Sequence, residues 1–169
     1  MLGNGNVVRV ASGKAVRLNA PLVAPNGLVK TGGGALVLCD GRNAVEGTIR
    51  VEEGQLGWED PGVFGAASLR FAAGAGIFVT KRTQPKEFDA LPEGFGKFVF
   101  DFGEELPKSG SVLRVPAHVA IPVGDLSVTV RCTHPKFDLG CFSLRVTADG
   151  EGKTLSWRYV KHGTVFIVK

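Results

Sequence analysis

Helix-forming patterns are almost missing from this sequence. No stretch of a dozen residues carries apolar positions at three-four spacing without a glycine or proline inside it, which excludes a helical bundle and leaves strands to build the fold. Aromatic residues are scarce, at 8% of the chain, so the core must be mostly aliphatic. Cysteine is scarce too. Cys39, Cys132 and Cys141 are an odd and sparse set, which excludes the dense disulfide framework of small secreted domains. They read as small apolar side chains in or near the core, with a Cys132–Cys141 bridge open if the chain is exported. No apolar run approaches the roughly 20 residues that span a bilayer, and no charged-then-apolar leader opens the chain. No membrane insertion by this segment is expected. Met1-Leu2-Gly3-Asn4-Gly5-Asn6 looks like an interior point of a longer protein behind a start methionine. The net charge is +4, but Arg9, Lys14, Arg17, Lys30, Arg42 and Arg50 are dispersed among apolar neighbours. That is a solvated strand face, and it argues against a nucleic-acid partner.

Glycine, by contrast, is abundant, with 24 in 169 residues. A unit of glycine followed by two alternate apolar residues recurs at Gly34-Leu36-Leu38, Gly47-Ile49-Val51 and Gly76-Ile77-Val79. It returns at Gly110-Leu113-Val115, Gly124-Leu126-Val128 and Gly163-Val165-Ile167. Glycine permits a tight corner, and the alternate apolar residues point to one face of a short strand. Strands this short cannot bury a face alone, so successive coils must stack around a shared interior.

The densest run has Leu28, Lys30, Gly32, Gly34, Leu36 and Leu38, then Gly41, Asn43 and Gly47, then Val51, Gly54 and Leu56. In this register the chain resembles the autotransporter-associated β-strand repeat, also called the passenger-associated transport repeat. Val45 stands where that family has an aromatic, Thr48 where it has a second glycine and Ile49 where it has threonine, so the copy is degenerate. The best match covers residues 27–57, and the stretch from Asn6 to Leu22 reads as the preceding coil. The resemblance implies an all-β fold: a right-handed parallel β-helix of a few coils with a β-rich, partly antiparallel C-terminal cap. It further implies a non-enzymatic stalk or passenger segment of a larger exported bacterial chain, extracellular or at the cell surface. The right hand also follows from the general preference for right-handed parallel crossovers.

A composition shift near Lys81 divides the chain. Residues 1–80 read as β-helix coils. Residues 81–96, polar and proline-punctuated, read as a loop or insertion. Residues 97–169, with longer strands and bulkier side chains, read as a β-rich cap or a small β-sandwich. Leu155-Ser156-Trp157 and Gly163-Thr164-Val165-Phe166-Ile167-Val168 resemble, in layout, the ends of proteins that carry this repeat. The expected strands begin at Val7, Ala15, Leu28, Ala35, Thr48, Ser68, Ile77, Lys97, Val112, Leu126, Phe142, Thr154 and Thr164.

Chemistry is harder to find. Gly32-Gly33-Gly34 is followed by a strand and by no Gly-Lys-Ser/Thr, so it is a corner and not a phosphate loop. Cys132, His134 and Cys141 with His118 or His162 match no paired zinc-ligand spacing. The acidic pairs Glu52-Glu53, Glu59-Asp60, Glu104-Glu105 and Asp149-Glu151 each lie beside a glycine or proline in an expected turn, where solvated charge is ordinary. No serine sits in a Gly-x-Ser-x-Gly elbow. No catalytic, cofactor or metal residue is nominated. Trp58, next to Pro61, is the one residue nominated for ligand contact, by stacking on a sugar ring. A cell-surface or extracellular glycan or protein is the expected kind of partner. A carbohydrate-binding or adhesin module is the alternative function, and a polysaccharide-active β-helix enzyme the third.

Overall fold

The computed structural model describes residues 6–160. The expected final strand from Thr164 to Val168, His162 and the first five residues lie outside them. The strands, in chain order, are β1 (Asn6–Arg9), β2 (Ala15–Leu18), β3 (Val23–Ala24), β4 (Leu28–Thr31), β5 (Ala35–Leu38), β6 (Ala44–Val45), β7 (Thr48–Val51) and β8 (Gln55–Trp58). They continue with β9 (Ser68–Phe71), β10 (Gly76–Thr80), β11 (Lys86–Glu87), β12 (Lys97–Gly103), β13 (Ser109–Pro116), β14 (Ser127–Cys132), β15 (Phe142–Ala148) and β16 (Gly152–Tyr159). Between them are only three short 3₁₀ turns and no α-helix among the described residues. The sequence omits β8 from its expected strands, together with the two-residue β3, β6 and β11.

The chain is a parallel β-helix closed by a mixed, largely antiparallel sheet. One face is the sheet β1-β4-β7-β9, a second is β14-β12-β10-β8-β5-β2, and the two-residue pair β3-β6 makes a third. Every pairing in these three sheets is parallel. The fourth sheet, β11-β13-β16-β15, pairs antiparallel except at β11.

Register explains the core. In the six-stranded sheet Val16, Leu36, Leu56, Ile77, Phe98 and Val128 stand on one another as an inward column. Leu18, Leu38 and Trp58 start a second column that Val79, Phe100 and Val130 continue. The facing sheet contributes Asn6, Leu28, Ile49 and Leu69, and beside them Val8, Lys30, Val51 and Phe71. A strand's side chains alternate between faces, so each coil needs only two apolar residues per strand to extend the stack. A fully buried leucine contributes roughly 1.5–3 kcal/mol, and each coil adds several.

The parallel stacking passes the composition shift. β12 and β14 extend the six-stranded sheet, whereas the facing sheet ends at β9, where Phe71 N–H donates to the Glu93 carbonyl. Beyond that point β13 and β16 replace the missing wall. Trp157 lies 5.8 Å from Phe100 and 6.1 Å from Phe102, ring centre to ring centre, and Phe142 lies 5.0 Å from Phe100. Aromatic rings fill the wider gap that aliphatic columns leave when one wall of the coil is exchanged for a differently oriented sheet.

A candidate stacking end

Lys30, Gly32, Gly34 and Gly54 of the repeat run meet at one corner. Lys30 occupies an inward position that its column otherwise gives to Val8, Val51 and Phe71, and its side chain is fully buried. Its Nζ donates to the carbonyl of Glu53 at 2.8 Å and to that of Gly32. The corner chain passes so close that a Cβ on Gly54 would stand 2.3 Å from the Gly34 carbonyl oxygen and 2.6 Å from Lys30 Nζ, at a φ of +70°. Lysine and glycine at these spacings are therefore one device: the ammonium bonds carbonyls that corners leave without strand partners, and the glycine makes room for it. Burial pushes the Lys30 pKa down, opposed by the charge of Glu53.

The other positions of the run are structural as well. Leu28, Leu36, Leu38, Val51 and Leu56 are buried in the columns. Asn43 is buried at the next corner, where its Oδ1 accepts from Leu22 N–H at 2.7 Å, while its Nδ2 meets no partner among the described residues. Gly41 packs against the Asp60 carboxylate, and Gly47 opens into β7.

Trp58 is not the sugar platform that its neighbourhood in sequence implies. It is fully buried, packs edge-on against Phe64 at 5.2 Å and Phe88 at 6.3 Å, and donates from Nε1 to the Gln84 carbonyl at 2.9 Å. The period-2 alternation Leu56-Gly57-Trp58 already placed it on the inward face.

The acidic pairs do not converge either. Arg17 Nη2 donates to Glu59 Oε2 at 2.6 Å, Arg50 pairs with Glu52 at 2.6 Å, and Lys81 pairs with Glu105. Asp60 accepts from Gly62 N–H at 2.7 Å to start a 3₁₀ turn. Asp149 takes both Nη atoms of Arg114 at 2.8 Å, which lowers its pKa. Cys39 lies near Glu59 and Arg17, with a thiol pKa pushed up by burial and by the Glu59 charge. No three His, Cys, Asp or Glu side chains lie close enough to hold a metal ion among the described residues.

The two ends of the stack differ. At the N-terminal end β1, β2 and β3 are each the edge strand of their own sheet, so among the described residues this coil has a neighbouring coil on one side only. Val16 is 46% exposed there, against 1% for Leu36 directly above it. At the other end Leu69 and Phe71 are buried under the segment around Glu93, and β14 is the edge strand of the six-stranded sheet among the described residues. Charge follows the same division. The first acidic residue in the sequence is Asp40, so Arg9, Lys14 and Arg17 give the terminal coil a purely cationic side-chain set. Cations on an open edge oppose indiscriminate pairing.

No family model, no curated protein and no solved structure matches the chain.

Proposed function

We propose that this chain is a non-enzymatic structural segment of a longer exported bacterial surface or secreted protein, part of a stalk in which further β-helix coils stack on its N-terminal end. The observation that supports it most directly is the open coil formed by β1, β2 and β3, with the inward column ending at a half-exposed Val16. A parallel coil added there would continue both the backbone ladders and the apolar columns without rearrangement. The mixed sheet at the far end suits a terminator, since it replaces one wall of the coil and fills the gap with rings. Export and surface location rest on the resemblance of the Leu28–Leu56 run to the passenger-associated repeat.

The test is the mass and location of the native polypeptide in its source cells. A surface or medium fraction holding a much larger chain that contains this sequence is the expected result. A free cytosolic species of this length would overturn the proposal.

A further inference from the structure

We propose that the solvent face of β13, β16 and β15 binds an acidic polysaccharide. Strand register builds this face. Arg158 of β16 stands between Ser143 and Ser109, and Ser156 of β16 stands between Arg145 and Ser111. In the next row Thr154 stands between Thr147 and Arg114. Each row thus holds one guanidinium and two hydroxyls, while the intervening rows point the other way and bury Leu113, Leu155 and Trp157. A bulge at Val112, which sets the register shift between Ser111 and Leu113, keeps Arg114 on the outer face.

Arg145 and Arg158 are exposed and make no ion pair among the described residues. Arg114 is held by Asp149, with Glu151 at 3.8 Å and Glu87 opposite it on β11, so among the described residues that end of the face is acidic. At the opposite end a shallow hollow of about 610 Å³ brings Lys108 beside Ser109 and Arg158, with Leu106, Tyr159 and Val160 also in its lining. Lys153, on the inward side, is tied to the Val119 carbonyl at 3.0 Å and takes no part.

This composition selects its ligand. Guanidinium groups bond carboxylates in a bidentate fork, and Arg145 and Arg158, diagonal neighbours on adjacent strands, have backbone positions about 7 to 8 Å apart. The hydroxyls both donate and accept, as the hydroxyls of a sugar chain require. Ser111 and Ser156, neighbours within one row, already hydrogen-bond each other at 3.0 Å, so the hydroxyls of a row lie within bonding distance. No aromatic or large apolar side chain belongs to these outer rows. These rows therefore lack the stacking platform used for single-stranded nucleic acid and the apolar side chains used to enter a membrane surface.

The test is calorimetric titration of the full chain with an oligo-uronate of roughly eight units, at low salt and again at a salt where the Debye length is about 8 Å. Binding that weakens with salt is expected, with a neutral dextran of equal length giving none. The double variant Arg145→Ser/Arg158→Ser should lose at least tenfold in affinity, with a melting temperature moved by no more than about 2 °C because both side chains are exposed and unpaired. Arg131→Ser, an exposed arginine on the outer face of the six-stranded sheet, should bind as the parent does. Absence of uronate binding at low salt would overturn the proposal. So would an equal loss in Arg131→Ser, undiminished binding by the double variant, or binding of an oligonucleotide or an anionic vesicle in place of the uronate.

Discussion

The coils before residue 80 and the strands after residue 97 bury apolar surface in different ways. In the coils, apolar residues stand on their register partners from one coil to the next in columns one residue wide. In the later region Phe98, Phe100, Phe102, Phe142 and Trp157 meet across two sheets whose strands are far apart in sequence. The first arrangement can be extended coil by coil. The second cannot, because each ring fills a space shaped by several strands at once. A stack can therefore be lengthened through its coils and stopped by its rings.

The largest effect should come from the ring cluster. Trp157→Ala removes a side chain 4% exposed that contacts Phe100 and Phe102, and should cost about 3–5 kcal/mol. The two regions share one continuous cluster of buried residues, so urea denaturation should show one transition moved to lower denaturant. Two separate transitions, with only one of them moved, would divide the regions into independent units.

Next is the corner device. Gly54→Ala places a methyl 2.3 Å from the Gly34 carbonyl oxygen, and should cost about 3 kcal/mol or more through backbone displacement. Gly47 has a similar φ of +72° with nothing within 4 Å of its Cβ position. Gly47→Ala should cost only the left-handed conformation, about 1 kcal/mol. Equal losses in the two variants would mean that conformation, and not crowding around Lys30, accounts for the corner glycine.

Lys30→Met keeps the length of the side chain but leaves the Gly32 and Glu53 carbonyls without their donor, and should cost about 2–3 kcal/mol. Its pH dependence has a definite sign. The folded pKa lies below the unfolded value of 10.5, so between the two the unfolded chain binds more protons and stability rises with pH. Lys30→Met should remove that rise. An unchanged slope between parent and variant would show that the ammonium is solvated in the folded chain.

The coils were legible because alternation and corner glycines repeat: β2, β7 and β9 lie where the expected strands do. The failures share a cause. β8 was hidden by Gly57, which is tolerable mid-strand because a Cβ there would meet the Phe78 carbonyl oxygen at 2.5 Å, a contact made by a strand of the next coil and invisible in local sequence. Lys30 is legible as a position of the repeat, yet its burial depends on carbonyls from Gly32 and from Glu53, 23 residues away. The rows on the outer face of β13, β16 and β15 depend on a bulge and two antiparallel registers, and residue spacing alone does not fix either.

The smallest effect separates an end from an interior. Leu36→Ala, inside the column, should cost about 2–4 kcal/mol. Val16→Ser, one step down the same column and 46% exposed, should cost under about 1 kcal/mol, because little apolar area leaves water when Val16 folds. The pair can be repeated in a longer chain carrying the coils that the stalk proposal places before β1. A stacked coil would bury Val16 as Leu36 is buried here, and the cost of Val16→Ser should then rise to about 2 kcal/mol as an unpaired hydroxyl enters an apolar column. A cost that stays small in the longer chain would mean that those coils do not stack on β2, and that the open end serves some other contact.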